Sequence, residues 1–140
     1  MLKATKQGRQ AQKQTVVKQK VSTGNTQTAY RYEVVKDISN RYSLGKAGVK
    51  QLFGISEATQ FRYEKQNSTL KPAISDRVER FNRIVNQAKE LFEDEVETQR
   101  WLSTPKDALE GATPLKALAT DAGAKKVEEI LYRAEYGMYG

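Results

Sequence analysis

The chain contains no cysteine and no histidine. Without cysteine there is no disulfide framework and no thiolate metal site. Without histidine as well, the usual zinc sites and the Ser-His-Asp and Cys-His nucleophile systems are excluded, so the chain is not expected to be an enzyme. Neither GxxxxGK[ST] nor GxGxxG occurs, and no cofactor is expected. Nowhere do about eighteen apolar residues run together, and the basic N-terminus lacks the apolar stretch of a signal peptide. No membrane partner is expected, and the chain is placed in the cytoplasm. Asn67-Ser68-Thr69 matches a glycosylation acceptor but reads, in a chain that is not secreted, as a polar loop between helices. At 140 residues there is material for one modest core or two very small ones.

Charge is abundant and unevenly placed. The net value is +7. Residues Met1 to Tyr32 hold seven basic residues and no acid, Glu33 to Lys89 hold eleven basic against six acidic, and Glu90 to Gly140 reverse this to six against eleven. A basic leader and middle suggest an anionic polymer as partner, whereas an acidic end would repel one and requires a different partner.

Hydrophobic periodicity predicts helices and no strand of any strength, hence an all-α fold. Residues 1–32, rich in Lys, Gln and Thr, form a basic leader expected to be disordered, either a phosphate-seeking arm or simply a solvated segment. Val34, Val35, Ile38 and Tyr42 mark a first helix over Glu33–Tyr42. Ser43 is placed to cap a second helix running to Phe53, with Ala47, Val49, Leu52 and Phe53 on its apolar side. Gly54 ends it in a left-handed turn, Ile55 returns to the core, and Ser56 caps a third helix to about Gln66. Pro72 opens a long helix whose stripe is Ile74, Val78, Phe81, Val85, Ala88 and Phe92, widened by Ile84 and Leu91. That stripe either packs wholly within one chain or also against a second copy. Val96, Trp101 and Leu102 mark another short helix before Pro105, Thr113-Pro114 starts the next, and Asp121 caps the last, with Val127, Ile130, Leu131 and Ala134 inward and Gly137 at its end. The organisation expected is a helix-turn-helix DNA-binding and dimerisation region over residues 33–92 and a small helical domain over residues 93–140.

The helix, glycine turn, apolar residue and capped helix around "LFGIS" carry the helix-turn-helix signature. Residues opening the second element face base edges in such a motif, which makes Ser56, Glu57, Thr59, Gln60 and Tyr63 candidates for base contact and Lys46, Lys50, Arg62, Lys65 and Lys71 candidates for phosphate contact. A plain helix hairpin would look similar. Gln60 stands where the motif usually buries an apolar residue and Lys50 where it prefers a small one; Phe61 is expected to take over the packing with the helix rotated. Glu93-Asp94-Glu95-Glu97 reads as a solvated helix start rather than a metal site, because neighbouring helical carboxylates diverge and the glycine and asparagine of calcium loops are missing.

From Leu91 onward the chain resembles the toxin-binding domain of the Xre/MbcA/ParS antitoxins. The resemblance is carried by Phe92 before an acid, Trp101-Leu102, Pro105, the stretch from Ala108 to Leu115, Thr120 to Gly123, Val127, and Leu131, Arg133, Glu135, Gly137 and Tyr139; it extends back to about Glu33. It implies an all-helical, homodimeric, Xre-like antitoxin that represses its own operon by binding operator DNA. It also implies a hetero-oligomer with a RES-domain toxin that consumes NAD, whose pocket the C-terminal segment covers. The residues so implied in toxin binding are Trp101, Arg133, Tyr136, Gly137, Met138, Tyr139 and Gly140. A glycine-hinged aromatic segment suits a largely apolar pocket, and a carboxylate at Gly140 is placed to mimic a phosphate of NAD. The alternatives are that Tyr136, Met138 and Tyr139 fold back on their own helix, and that the protein is a stand-alone helix-turn-helix regulator whose C-terminal domain only dimerises.

Overall fold

The structure, a computed structural model, describes residues 21–22 and 28–137. Seven α-helices make up most of it: α1 Tyr32–Tyr42, α2 Gly45–Phe53, α3 Glu57–Gln66, α4 Pro72–Phe92, α5 Glu95–Leu102, α6 Pro114–Ala117 and α7 Asp121–Glu135, with a 3-10 turn at Asp107–Leu109. The departures from an all-helical chain among the described residues are a two-residue antiparallel ladder, β1 Val21–Ser22 with β2 Thr28–Ala29, and an isolated antiparallel bridge between Arg31 and Thr69. Met1–Lys20 and the tail from Met138 to Gly140 lie outside the described residues.

The central element is α4. Its missing proline N–H falls at the helix start, where no donor is needed, and its inner stripe of Val78, Phe81, Ile84, Val85 and Ala88 is buried within the single chain. Helices α2, α5 and α7 all pack on it. One hydrophobic cluster therefore spans both segments, from Val34 and Phe53 to Leu102, Val127 and Leu131. Phe81 meets Phe53 and Tyr42 edge-on, with centroids 5.6 Å apart in each pair.

The folded unit begins ahead of Glu33. Leu70 N–H donates to Tyr30 O at 2.7 Å and Tyr32 N–H to Ser68 O at 2.9 Å, so the end of the leader docks as an extended strip beside the α3–α4 connection. Tyr30 is buried, and its hydroxyl donates to Glu79 Oε2 at 2.5 Å.

Two caps differ from expectation by one residue. Ser43 does not open α2; it closes α1 in the left-handed conformation (φ 53°), Leu44 is the N-cap residue of α2, and α2 starts at Gly45. Thr120, not Asp121, caps α7, its hydroxyl accepting from Gly123 N–H at 3.0 Å. Asp121 becomes the first helical residue, and its carboxylate pairs with Arg80. Ala47 and Val96 are exposed rather than inward; the short helices α2 and α5 fill their inner faces with Val49, Leu52, Phe53, Thr98 and Leu102.

Candidate functional site

The turn between α2 and α3 forms as its residues require. Gly54 (φ 72°) closes α2, where an L side chain is strained. Ile55 is buried, and Ser56 caps α3 by accepting from Thr59 N–H at 3.2 Å. The rotation of α3 is set by Gln60, which is 2% exposed. Its amide donates to Lys46 O and to Ile55 O, both at 2.9 Å, tying α2, the turn and α3 together.

This corrects the base-contact list. Gln60 occupies the motif's apolar position and is consumed by the core, so its amide cannot meet a base edge. Tyr63 also turns inward, half-buried and edge-on to Tyr32 at 5.6 Å. Thr59 is partly covered and bonded to the Ser56 hydroxyl at 2.9 Å. Phe61, expected in the core, is 53% exposed. Glu57 and Ser56 remain outside, as do Lys46, Lys50, Arg62, Lys65 and Lys71. Lys46 and Lys65 both approach Phe61, their ammonium groups 5.6 Å and 4.7 Å from its ring centre. The outward place of Phe61 could have been found from sequence: with Gln60, Tyr63 and Asn67 taken as one inner face, residue 61 must project away.

The acidic segment packs against α4 and also meets the end of α1, where Gln99 donates to Arg41 O at 3.5 Å. Asp94 caps α5, its carboxylate accepting from Glu97 N–H at 3.0 Å. Glu95 reaches Lys89 at 3.8 Å and Glu97 reaches Arg100 at 2.9 Å. No group of three or more carboxylates placed to hold a metal occurs among the described residues. Trp101 is half-buried, with Phe92 at 5.7 Å and Lys106 at 5.2 Å from its ring, so much of it serves the domain's own packing.

On α7, Arg133 is exposed and pairs with Glu129 at 3.7 Å. Tyr136 is 61% exposed and leans on Tyr132, itself 51% exposed, with ring centres 4.6 Å apart. The sequence reading singled out Tyr136 but not Tyr132; their spacing of four on one helix was the available signal. Gly137 follows with φ 65°. Met138, Tyr139 and Gly140, and with them the proposed plug and phosphate mimic, lie outside the described residues. No helix among the described residues is long and apolar enough to cross a membrane.

Residues 87–137 match the family described as the antitoxin Xre/MbcA/ParS C-terminal toxin-binding domain. Over more of its length the chain is similar to proteins called antitoxin Xre. The one from Yersinia enterocolitica is 29% identical over 111 residues, 79% of this chain and 75% of that protein. The one from Pseudomonas putida is 39% identical over 66 residues, 47% and 41% of the two chains. The one from Photorhabdus laumondii is 28% identical over 106 residues, 75% and 72%.

Proposed function

We propose that this chain is an antitoxin of the Xre/MbcA/ParS type, to which its second half and its relatives are similar, that it neutralises a RES-domain, NAD-consuming toxin by laying its C-terminal segment over the toxin's active site, and that it represses its own operon. The observation that carries the reading is the match of residues 87–137 to a toxin-binding domain, ending on an exposed Tyr132 and Tyr136 pair beside Arg133. The opposite charge of the preceding segment supports the second role: Lys46, Arg62 and Lys65 around α3 would hold operator phosphates. A homodimer would present two copies of α3 about 34 Å apart to a palindromic site in the cytoplasm.

The test is co-expression with a RES-domain toxin, followed by isolation of the complex and measurement of residual NAD consumption. Tyr136 and Gly137 are exposed, and the chain cut after Glu135 is expected to fold, as circular dichroism would check, and to leave the toxin active. A toxin that stays silent against the truncated chain would refute coverage by this segment.

A further inference from the structure

We propose that Phe61 determines operator sequence preference by pressing its ring against thymine methyl groups in the major groove. The inference rests on the reading of α3 as the DNA-contacting helix and adds to it a residue outside every phosphate and base contact assigned above.

The rotation of α3 leads to this residue. With Gln60 locked inward by two hydrogen bonds and Tyr63 against Tyr32, the outer stripe of the helix is Glu57, Ala58, Phe61, Arg62 and Lys65, all exposed. Two of these five are apolar. Four large hydrophobic residues are exposed among the described residues; Val96, Tyr132 and Tyr136 belong to the acidic segment, and Phe61 alone stands in the basic one. The Lys46 and Lys65 ammonium groups lie against its ring.

That environment selects the partner. An apolar ring framed by lysines is a poor seat for a second copy of the same face, because Lys46, Arg62 and Lys65 would meet their own counterparts and be desolvated together. A partner is needed that offers dense negative charge and, a few ångströms away, a small apolar group. The DNA major groove has this arrangement: phosphates line its walls, and the thymine C5 methyl is the one apolar group on its floor. As α3 enters, the lysines leave the ring for phosphates and the ring meets the methyl. Ala58, one turn earlier, leaves room for the base pair to approach.

The experiment uses the full chain. A random-sequence duplex library is enriched on the wild-type protein, and the selected duplex is then titrated with each thymidine replaced, one at a time, by deoxyuridine, which removes the methyl alone. Wild-type affinity is expected to fall about fourfold at each contacted thymine, the worth of one buried methyl-sized group. Phe61→Ala, at an exposed position that leaves helicity by circular dichroism unchanged, is expected to bind thymidine and deoxyuridine duplexes equally at those sites. Its dependence of affinity on salt should match the wild type, whereas Lys65→Ala should lower the salt slope by about one while keeping the thymine preference. A Phe61→Ala protein that keeps the wild-type preference overturns the proposal, as does a wild type indifferent to every methyl. Failure of the wild type to enrich any duplex overturns the DNA-binding reading as a whole, a result distinguishable from the other two.

Discussion

Replacing Gln60 tests the geometry on which the proposed DNA-facing surface depends. The side chain is 2% exposed and satisfies two carbonyls, Lys46 O and Ile55 O. In Gln60→Ala both acceptors lose their donor, at about 0.5–1.5 kcal/mol each, and a cavity opens; the expected total is about 2–4 kcal/mol. Gln60→Leu loses the same hydrogen bonds but buries an aliphatic side chain worth about 1.5–3 kcal/mol, so it should fall within about 1 kcal/mol of wild type. Gln60→Glu is the most damaging at neutral pH, since it would set a carboxylate against two carbonyl oxygens in a dry site. Burial and the facing carbonyls raise the pKa of that new carboxyl in the folded state, so its stability is present below the unfolded value near 4.3 and is lost as pH rises through the folded value. Urea unfolding followed by circular dichroism at pH 7, and for the Glu variant also at pH 4, measures all three. The order Leu above Ala above Glu is required. If all three lie within about 0.5 kcal/mol of wild type, as exposed substitutions do, Gln60 faces solvent and the rotation assigned to α3 is wrong.

At Gly123, an added Cβ would lie 2.0 Å from the Ala117 carbonyl oxygen, a backbone atom that cannot step aside; Gly123→Ala should cost about 3 kcal/mol and separate α6 from α7, and a loss below 1 kcal/mol in urea titration would refute this packing. Burial pushes the Tyr42 hydroxyl up to about 12 from 10.0, so the unfolded chain ionises first and stability that is intact below pH 10 is lost as pH rises toward 12, by about 1 kcal/mol at pH 11. The same hydroxyl is buried without a hydrogen-bond partner, so Tyr42→Phe should be neutral or slightly stabilising at pH 7 and should flatten the alkaline loss; an unchanged alkaline profile would contradict the assignment. Arg80, whose side chain is 15% exposed, donates to Leu118 O at 3.0 Å as well as pairing with Asp121, which is 92% exposed. Arg80→Ala should therefore cost about 1–3 kcal/mol and Asp121→Ala no more than about 0.5 kcal/mol; equal losses by thermal or urea unfolding would show that the ion pair, not the carbonyl contact, holds α7 to α4.

What the chain determined by itself was local. The stripe from Val78 to Ala88, the Gly54-Ile55-Ser56 turn and the Thr113-Pro114 start lie within one or two turns of the residues that dictate them, and the aromatic-ended final helix carried its family resemblance in plain spacing. Packing between distant segments decided the rest. Thr120 and Asp121 can both cap a helix, and the choice fell to Thr120 in a fold where Arg80, some forty positions earlier, engages Asp121. Tyr30 reads as leader until residues 68–70 and Glu79 surround it. Hydrophobicity alone would bury Phe61 and expose Gln60. The fold reverses them: the Gln60 amide donates to two carbonyls at the α2–α3 junction, bonds that a phenyl ring at that place cannot make.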